Sequence, residues 1–415
     1  MIIWVAILLV GCHPGTGRRV AIDDSDTEHI IETVPGSDWP DDGGEEDPGA
    51  AIFEWGQLPE LRLELSDEAI RFLHQDYLDF DPYSSSPDPF EYVEGSLTYD
   101  GLTYEPVGVR LKGQNSARDI DDKAAFKFKF NKYVPDGRFH GLKAVTLNNM
   151  VSDPSMVNER IAYWLYGEAG LPASRANHAA LFINDEYYGL FALLESVDDQ
   201  LLKRHFEDPD GSLFEGWDVD FYSWYIPHFQ LEEGPNDRTM LAGLANTLED
   251  SGSDAIVAAE KYVNYDAFRR WWAVGAVVAQ FDGYPYSDPG DDFHVYADPQ
   301  TDQLYFLPHG LDECMFWDDH GVQSVNGIVA YRCSQVQSCK NAWVDDVFEV
   351  LDLAEQKLDW EQAFLDIQKE IEPYMKADDR KPYSDWEVQQ YQNWTYSVIK
   401  NRRAEMESQL GAPSK

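Results

Sequence analysis

Residues 281–316 read FDGYPYSDPGDDFHVYADPQTDQLYFLPHGLDECMF, and the rest of the 415-residue chain is interpreted outward from them. An apolar helical run, 271–280, gives out into Asp282 and Gly283, and Pro285 and Pro289 follow. Phe293-His294-Val295-Tyr296 then alternates as a strand, Asp298-Pro299 turns the chain, and Leu304-Tyr305-Phe306-Leu307 alternates again. The second strand delivers Asp312 into a loop. A short β-ribbon therefore holds three clusters of carboxylates near one another: Asp282, the pair Asp291-Asp292, and Asp312-Glu313. Alone, this grouping is consistent with any metal-dependent chemistry, because hard divalent cations take carboxylate oxygens.

The two sides of this stretch differ in character. Segments 236–251, 254–262, 265–280, 343–357, 360–377 and 385–409 carry apolar residues at three- and four-residue spacing and predict helices. Upstream, Leu61, Leu63 and Leu65 alternate with Arg62 and Glu64 in a strand over 58–65, and Ser66 caps a short helix. Strands are expected at 92–99, 107–111, 126–130 and 144–147, with the single-glycine loop LKGQNSARDIDDK between the second and third. Asp153-Pro154 starts a long helix running to about 167, with Pro at the first helical position. A strand pair, 178–183 and 187–194, turns at Asn184-Asp185, and residues 195–198 mark the boundary between a β-rich and a helical half.

Composition bounds the function. Hydrophobic content of 43% with 14% aromatic residues is that of a folded protein. The net charge of −44 excludes nucleic acid as a partner, since phosphates would be repelled. It suits a cation-rich setting or a basic protein partner, and a solvated acidic surface explains it equally. No Gly-x-Ser-x-Gly, His-Glu-x-x-His or Gly-x-x-x-x-Gly-Lys sequence occurs, so serine hydrolase, zincin and P-loop readings have no support. The N-terminal MIIWVAILLVGC is too short to span a bilayer, which needs about 20 apolar residues. Leu9-Val10-Gly11-Cys12 resembles a bacterial lipobox, which predicts a signal segment with lipobox over 1–12, cleavage before Cys12 and lipidation of that cysteine as the mature first residue. Residues 13–51 are rich in Asp, Glu, Gly and Pro and predict a disordered acidic tether, with the folded domain over 52–415. Export makes a disulfide within RCSQVQSC plausible, between Cys333 and Cys339, and Cys314 is an alternative partner for Cys333.

GRFHGLKAVTLNN (137–149), the stretch 153–206 beginning DPSMVNERIAYWLYGEAG, and FDGY…DDFHVYADPQTDQLYFLPHGLDE resemble, in order and spacing, the CotH family of atypical secretory kinases. The resemblance implies an α+β, protein-kinase-like two-lobed fold, with a β-rich lobe over about 52–195 and a helical lobe over about 196–415. It further implies ATP with Mg²⁺ or Mn²⁺, and transfer of the γ-phosphoryl group to Ser or Thr of exported proteins; the acidic charge suits a basic substrate, and a monomer is expected. The resemblance places Asp282 as catalytic base, Lys127 as the phosphate-binding cation and Glu159 as its ion-pair partner. Arg110 and Lys112 belong with Gly113 and Asn115 in a phosphate-covering loop, and Glu195 stands where a kinase reads adenine. The resemblance puts Asp292 and Asp312 at the metal-ligand positions.

Two departures bear on activity. Asp291-Asp292 stands where the family has His-Asn, and Pro308-His309-Gly310-Leu311-Asp312 where it has Pro-Trp-Asp-Leu-Asp. The loss of the first Asp keeps a second reading open, a catalytically inactive surface module for adhesion or scaffolding. On either reading the protein works outside the cytoplasm, held to a membrane only by its lipid anchor.

Overall fold

A computed structural model describes residues 32–35, 47–82, 89–250, 255–316 and 321–411. Cys12 and the first part of the acidic segment lie outside the described residues. The first half of the chain is a closed barrel. Its strands are β2 (Glu60–Glu64), β3 (Val93–Tyr99), β4 (Leu102–Lys112), β5 (Ala125–Lys129), β6 (Ala144–Asn148), β7 (Ala176–Ile183) and β8 (Glu186–Glu195), after a short β1 (Glu32–Pro35). The order β4-β3-β2-β7-β8-β6-β5 returns to β4 through a β4–β5 pairing, so seven strands close on themselves. Closure removes the exposed edges that an open sheet of these strands would leave.

Period-two alternation explains the barrel's filling. Leu61 and Leu63, Val107, Val109 and Leu111, Phe126 and Phe128, Val145 and Leu147, and Phe191 and Leu193 all point inward and are buried. The alternate residues of β4, β5 and β6, including Arg110, Lys112, Lys127, Thr146 and Asn148, take the opposite face. The eleven-residue β4 serves more than two neighbours, because its start at Leu102–Glu105 also pairs in parallel with β1. Within the segment expected as a tether, residues 32–35 pair in parallel with Leu102–Glu105 of β4. Asp47 also bonds Arg175, and Ile52 is fully buried, so order begins before residue 52.

Helix α1 (Asp67–Asp79) is capped by Ser66, whose Oγ accepts the Ala69 N–H at 3.1 Å. Helix α2 (Asn158–Glu168) begins five residues after the expected Asp153 start. Asp153 is nevertheless an organiser: its carboxylate accepts from the Ser155 and Met156 N–H groups and from Ser155 Oγ, holding a tight turn that leads into α2. After α3 (Asp199–His205), strands β9 (Ser212–Gly216) and β10 (Gln230–Glu233) precede α4 (Thr239–Glu249), α5 (Ala255–Ala259) and α6 (Tyr265–Val277). The expected ribbon is β11 (Phe293–Asp298) and β12 (Gln303–Pro308), but it does not stand alone. β11 also pairs with β9, giving a four-stranded sheet, β10-β9-β11-β12.

Helices α7 (Ile328–Gln335), α8 (Gln337–Asp352), α9 (Trp360–Ala377) and α10 (Asp385–Leu410) complete the chain. Cys333 and Cys339 are joined by a disulfide, and Cys314 is free and buried. Within RCSQVQSC the bridge staples the ends of two helices where the chain breaks at Val336. Two separate lobes are not seen. One apolar core runs from α2 and the outward residues Leu190, Ala192 and Leu194 of β8 into the helices, through Trp271, Trp272 and Trp343. α2 and β8 thus serve both the barrel and the helical layer.

Candidate active site

A cavity of about 360 Å³ opens between the outer face of the barrel and the loops that flank β11 and β12. Arg110, Lys112, Lys127, Glu159, Glu195, Asp282, Asp292 and Asp312 all line it.

The barrel wall is basic, and strand register fixes it. Arg110 lies opposite Lys127, Lys127 opposite Thr146, and Thr146 opposite Leu194, forming one row across four strands. The next row begins with Lys112 opposite Ala125, and the same β5–β6 register brings Asn148 beside Ala125. The small alanine lets its neighbours meet over it. Lys112 Nζ donates to Asn148 Oδ1 at 2.6 Å, and Asn148 Nδ2 donates to Glu159 Oε1 at 2.7 Å. Glu159 therefore connects to Lys112 through Asn148, whereas the sequence reading paired it with Lys127. Lys127 makes no ion pair or hydrogen bond among the described residues. Gly113, with φ +95°, opens the covering loop, and Asn149 holds that loop by donating to the carbonyls of Ser116 and Lys123 at 2.9 Å each.

The opposite wall is acidic and made of loops. Asp282 follows the end of α6 and is exposed at the cavity mouth. Its loop is tied back by Ser287 Oγ, which donates to the Asp282 carbonyl. Gln280 links this loop to the next one: its Nε2 donates to the His309 carbonyl at 3.0 Å, and its Oε1 accepts from Tyr166 of α2 at 2.9 Å. Asn158, also on α2, donates to the Cys314 carbonyl at 2.6 Å, fixing the far end of the Asp312 turn. Asp292 and Gly310 both take left-handed backbone, at φ +53° and +55°. A Cβ at Gly310 would lie 2.0 Å from Asp292 Oδ1 and 2.2 Å from Asp292 Cγ, so the Asp292 carboxylate fills the space above Gly310.

Charge is crowded in this space. Burial, with Asp312 second, holds the Glu159 carboxyl well above its usual range. Glu159 is 1% exposed, and its Oε2 has no hydrogen-bond partner among the described residues. Burial raises Asp292 strongly, aided by Asp291, Asp282 and Asp312. Asp282 is raised by the surrounding protein first, then by Asp312 and Asp218. Asp312 is raised by burial against the opposing pull of Lys112. Burial lowers the Lys112 ammonium, opposed by Glu159 and Asp312. A carboxylate oxygen with no partner, facing several others, is the environment that a cation relieves. Among the described residues, the set of three ligand atoms within 4.8 Å of one another is His74, Asp119 and Asp121, outside the cavity. The cavity carboxylates stand farther apart, which suits a cation that completes its shell with phosphate oxygens and water.

Glu195 departs from its expected role. Its side chain is 3% exposed and clamped by Arg175, at 2.8 Å, and by Arg204, so the carboxylate is not free to read a base. The following helix, α3, is capped by Asp198, which accepts from the Gln200 N–H. Asn148, Asn149, Asn158 and Gln280 were missed by the sequence reading. Each joins segments far apart in the chain, and nothing local marks them. His294 and His309 also line the cavity, with rings 4.7 Å apart; burial lowers both, His309 to about 4, so both imidazoles are neutral at pH 7.

Comparison with known proteins follows this geometry. The chain is 22% identical over 278 residues to the inner spore coat protein H of Bacillus subtilis, covering 64% of this chain and 71% of that one. It is 23% identical over 198 residues to invasin CotH7 of Rhizopus delemar, covering 43% of this chain and 32% of that one. The chain thus spans about a third of the invasin's length. Among solved structures, the Helicobacter pylori proinflammatory kinase CtkA aligns with 73% of this chain and 93% of its own, at 11% identity and a TM-score of 0.31. That likeness is too weak to support a structural argument. The model of the CotH kinase protein family matches residues 109–406, which includes both walls of the cavity, and the chain belongs to that family.

Proposed function

We propose that this protein is a metal-dependent kinase that transfers the γ-phosphoryl group of ATP to a Ser or Thr hydroxyl of an exported protein. The observation that carries this reading is the cavity between a wall of cations and a wall of carboxylates, with Asp282 exposed at its mouth. The residues present fit the groups required. The orphaned Glu159 Oε2 and the carboxylates of Asp292 and Asp312 form an oxygen-donor set suited to Mg²⁺ or Mn²⁺. Lys127, without a protein partner, and Lys112 and Arg110 beside it supply positive charge for phosphate oxygens. When bound, the metal and nucleotide supply the transferable phosphoryl group and neutralise its charge.

The chain's own residues do the remaining work. Asp282 orients the acceptor hydroxyl and takes its proton; its raised pKa brings the carboxylate closer to the operating pH, where a general base is most effective. Glu159, through Asn148, holds Lys112 in place. The barrel rows set the spacing of the cations before any ligand arrives, so little reorganisation is needed. The surface charge of −44 favours a basic acceptor. Relatives named as spore coat proteins and invasins support an extracytoplasmic setting, and the lipobox resemblance at Cys12 supports a lipid anchor there.

The test is incorporation of label from γ-labelled ATP into a basic protein acceptor, with Mn²⁺ or Mg²⁺, by the wild type and Asp282→Ala. Metal-dependent incorporation that the variant lacks supports the kinase. Equal, background-level signal from both leaves the inactive surface module as the reading.

A further inference from the structure

Gly310 and Asp292 compete for one space. Both backbones are left-handed, and the volume that a side chain at 310 needs is filled by the carboxylate of residue 292. A Cβ at 310 would meet all three carboxylate atoms of Asp292 within 2.4 Å, so a side chain there requires that carboxylate to swing away. A side chain at 310 therefore takes the place that the Asp292 carboxylate now holds. The resemblance puts a carboxylate at 310, and this chain has none there. It has an additional carboxylate at 292, on the other loop, directed into the same place.

We propose that Asp292 delivers, from the β11 side, the carboxylate that the β12 side has lost at Gly310, so that the cavity keeps its cation site with Asp312 and Glu159. The inference rests on the metal-dependent reading given above. It goes further by making residues 292 and 310 exchangeable carriers of one ligand. An acidic cluster alone would not support this. The independent observation is Glu159, 1% exposed and lining the same cavity, with Oε2 unpartnered. Neighbouring anchors keep the exchange local: Asp292 N–H donates to Asp291 Oδ1 at 2.9 Å, and Gln280 holds the His309 carbonyl just before Gly310.

Exchange of the two residues tests it. The full chain is prepared as wild type, Asp292→Gly, Gly310→Asp, and Asp292→Gly with Gly310→Asp. Glycine suits the left-handed backbone at 292, and aspartate tolerates it at 310. Mn²⁺ affinity is read by electron paramagnetic resonance, and folding by thermal unfolding. Wild type binds Mn²⁺; Asp292→Gly weakens binding by about tenfold or more, as expected from losing one charged ligand. Gly310→Asp alone lowers the melting temperature, because its side chain meets the Asp292 carboxylate. The double variant recovers the melting temperature and brings Mn²⁺ affinity back to within about threefold of wild type.

A folded double variant that binds no better than Asp292→Gly overturns the exchange and leaves the metal-dependent reading standing. Wild type that binds no Mn²⁺, with or without ATP, overturns both. If Gly310→Asp does not fold, Gly310→Ala serves in its place: its Cβ displaces the Asp292 carboxylate, and unchanged Mn²⁺ affinity in that variant also overturns the exchange.

Discussion

On one side of the cavity Arg110, Lys112 and Lys127 stand on regular strands; on the other Asp282, Asp292 and Asp312 stand on loops. The strand side is set by a register that repeats across β4, β5 and β6, and the barrel's apolar interior supports every row. The loop side is set by a few hydrogen bonds, from Gln280, Asn158 and Ser287, and by left-handed backbone at Ala279, Asp292, Gly310 and Met315. Cations held by a sheet are preplaced whatever occupies the cavity. Carboxylates held by loops keep their mutual repulsion until a cation arrives. The strand wall therefore carries geometry, and the loop wall carries the electrostatic cost.

The largest effect that tests this division is at Asp282. Asp282→Asn should lower phosphoryl transfer by about 10²–10⁴-fold, as expected for loss of a general base, with melting temperature unchanged. A fall in stability of comparable weight would make Asp282 structural. Next is the support of the strand wall. Lys123, which closes the covering loop, is 1% exposed and ion-paired with fully buried Asp378 after α9. Asp378→Asn leaves the lysine buried and uncompensated, which should cost about 3–5 kcal/mol by urea unfolding.

The loop wall should reveal itself in the pH dependence of stability. Glu159 and Asp292 are raised well above their usual values, Asp291 is raised to about 6, and Asp153 to about 7. An acid whose pKa is higher in the folded state binds more protons there, so stability falls as pH rises from its unfolded value toward its folded one. These carboxyls should cost the metal-free protein more stability near pH 8 than near pH 5, and Mn²⁺ should reduce that cost; His294 and His309, held neutral, act in the opposite direction as pH falls below about 6.5. Glu159→Gln should raise the melting temperature at pH 8 more than at pH 5. A smaller effect is expected away from both walls. Replacing Cys333 and Cys339 by Ser opens a short loop between α7 and α8, costs about 2 kcal/mol, and leaves phosphoryl transfer unchanged.

The same contrast explains what the sequence makes legible. FKFKF announces its strand and puts Lys127 and Lys129 on one face, because period two is local. That Lys112, not Lys127, reaches Glu159 depends on three strands in register with an alanine between them, which no single segment records. Asp282, Asp291-Asp292 and Asp312 are visible as acidic turns, yet the filling of Gly310's space by Asp292 is a contact between two loops. β9 and β10 escaped notice because SLFEG and QLEE are short and sit among aromatic and acidic turns. Asp153-Pro154 is a genuine capping signal, but it caps a turn before α2. Barrel closure was not visible either, since it rests on the pairing of β4 with both β3 and β5.

The most direct test of the account is the thermal shift given by ATP and Mn²⁺ on the wild type, Lys112→Met and Asp312→Asn. The central claim is that the strand wall and the loop wall serve one ligand. Wild type should be stabilised by ATP only when Mn²⁺ is present, and each single variant, one from either wall, should lose that shift. A wild type indifferent to Mn²⁺ and ATP together, or two variants that keep its shift in full, would contradict it.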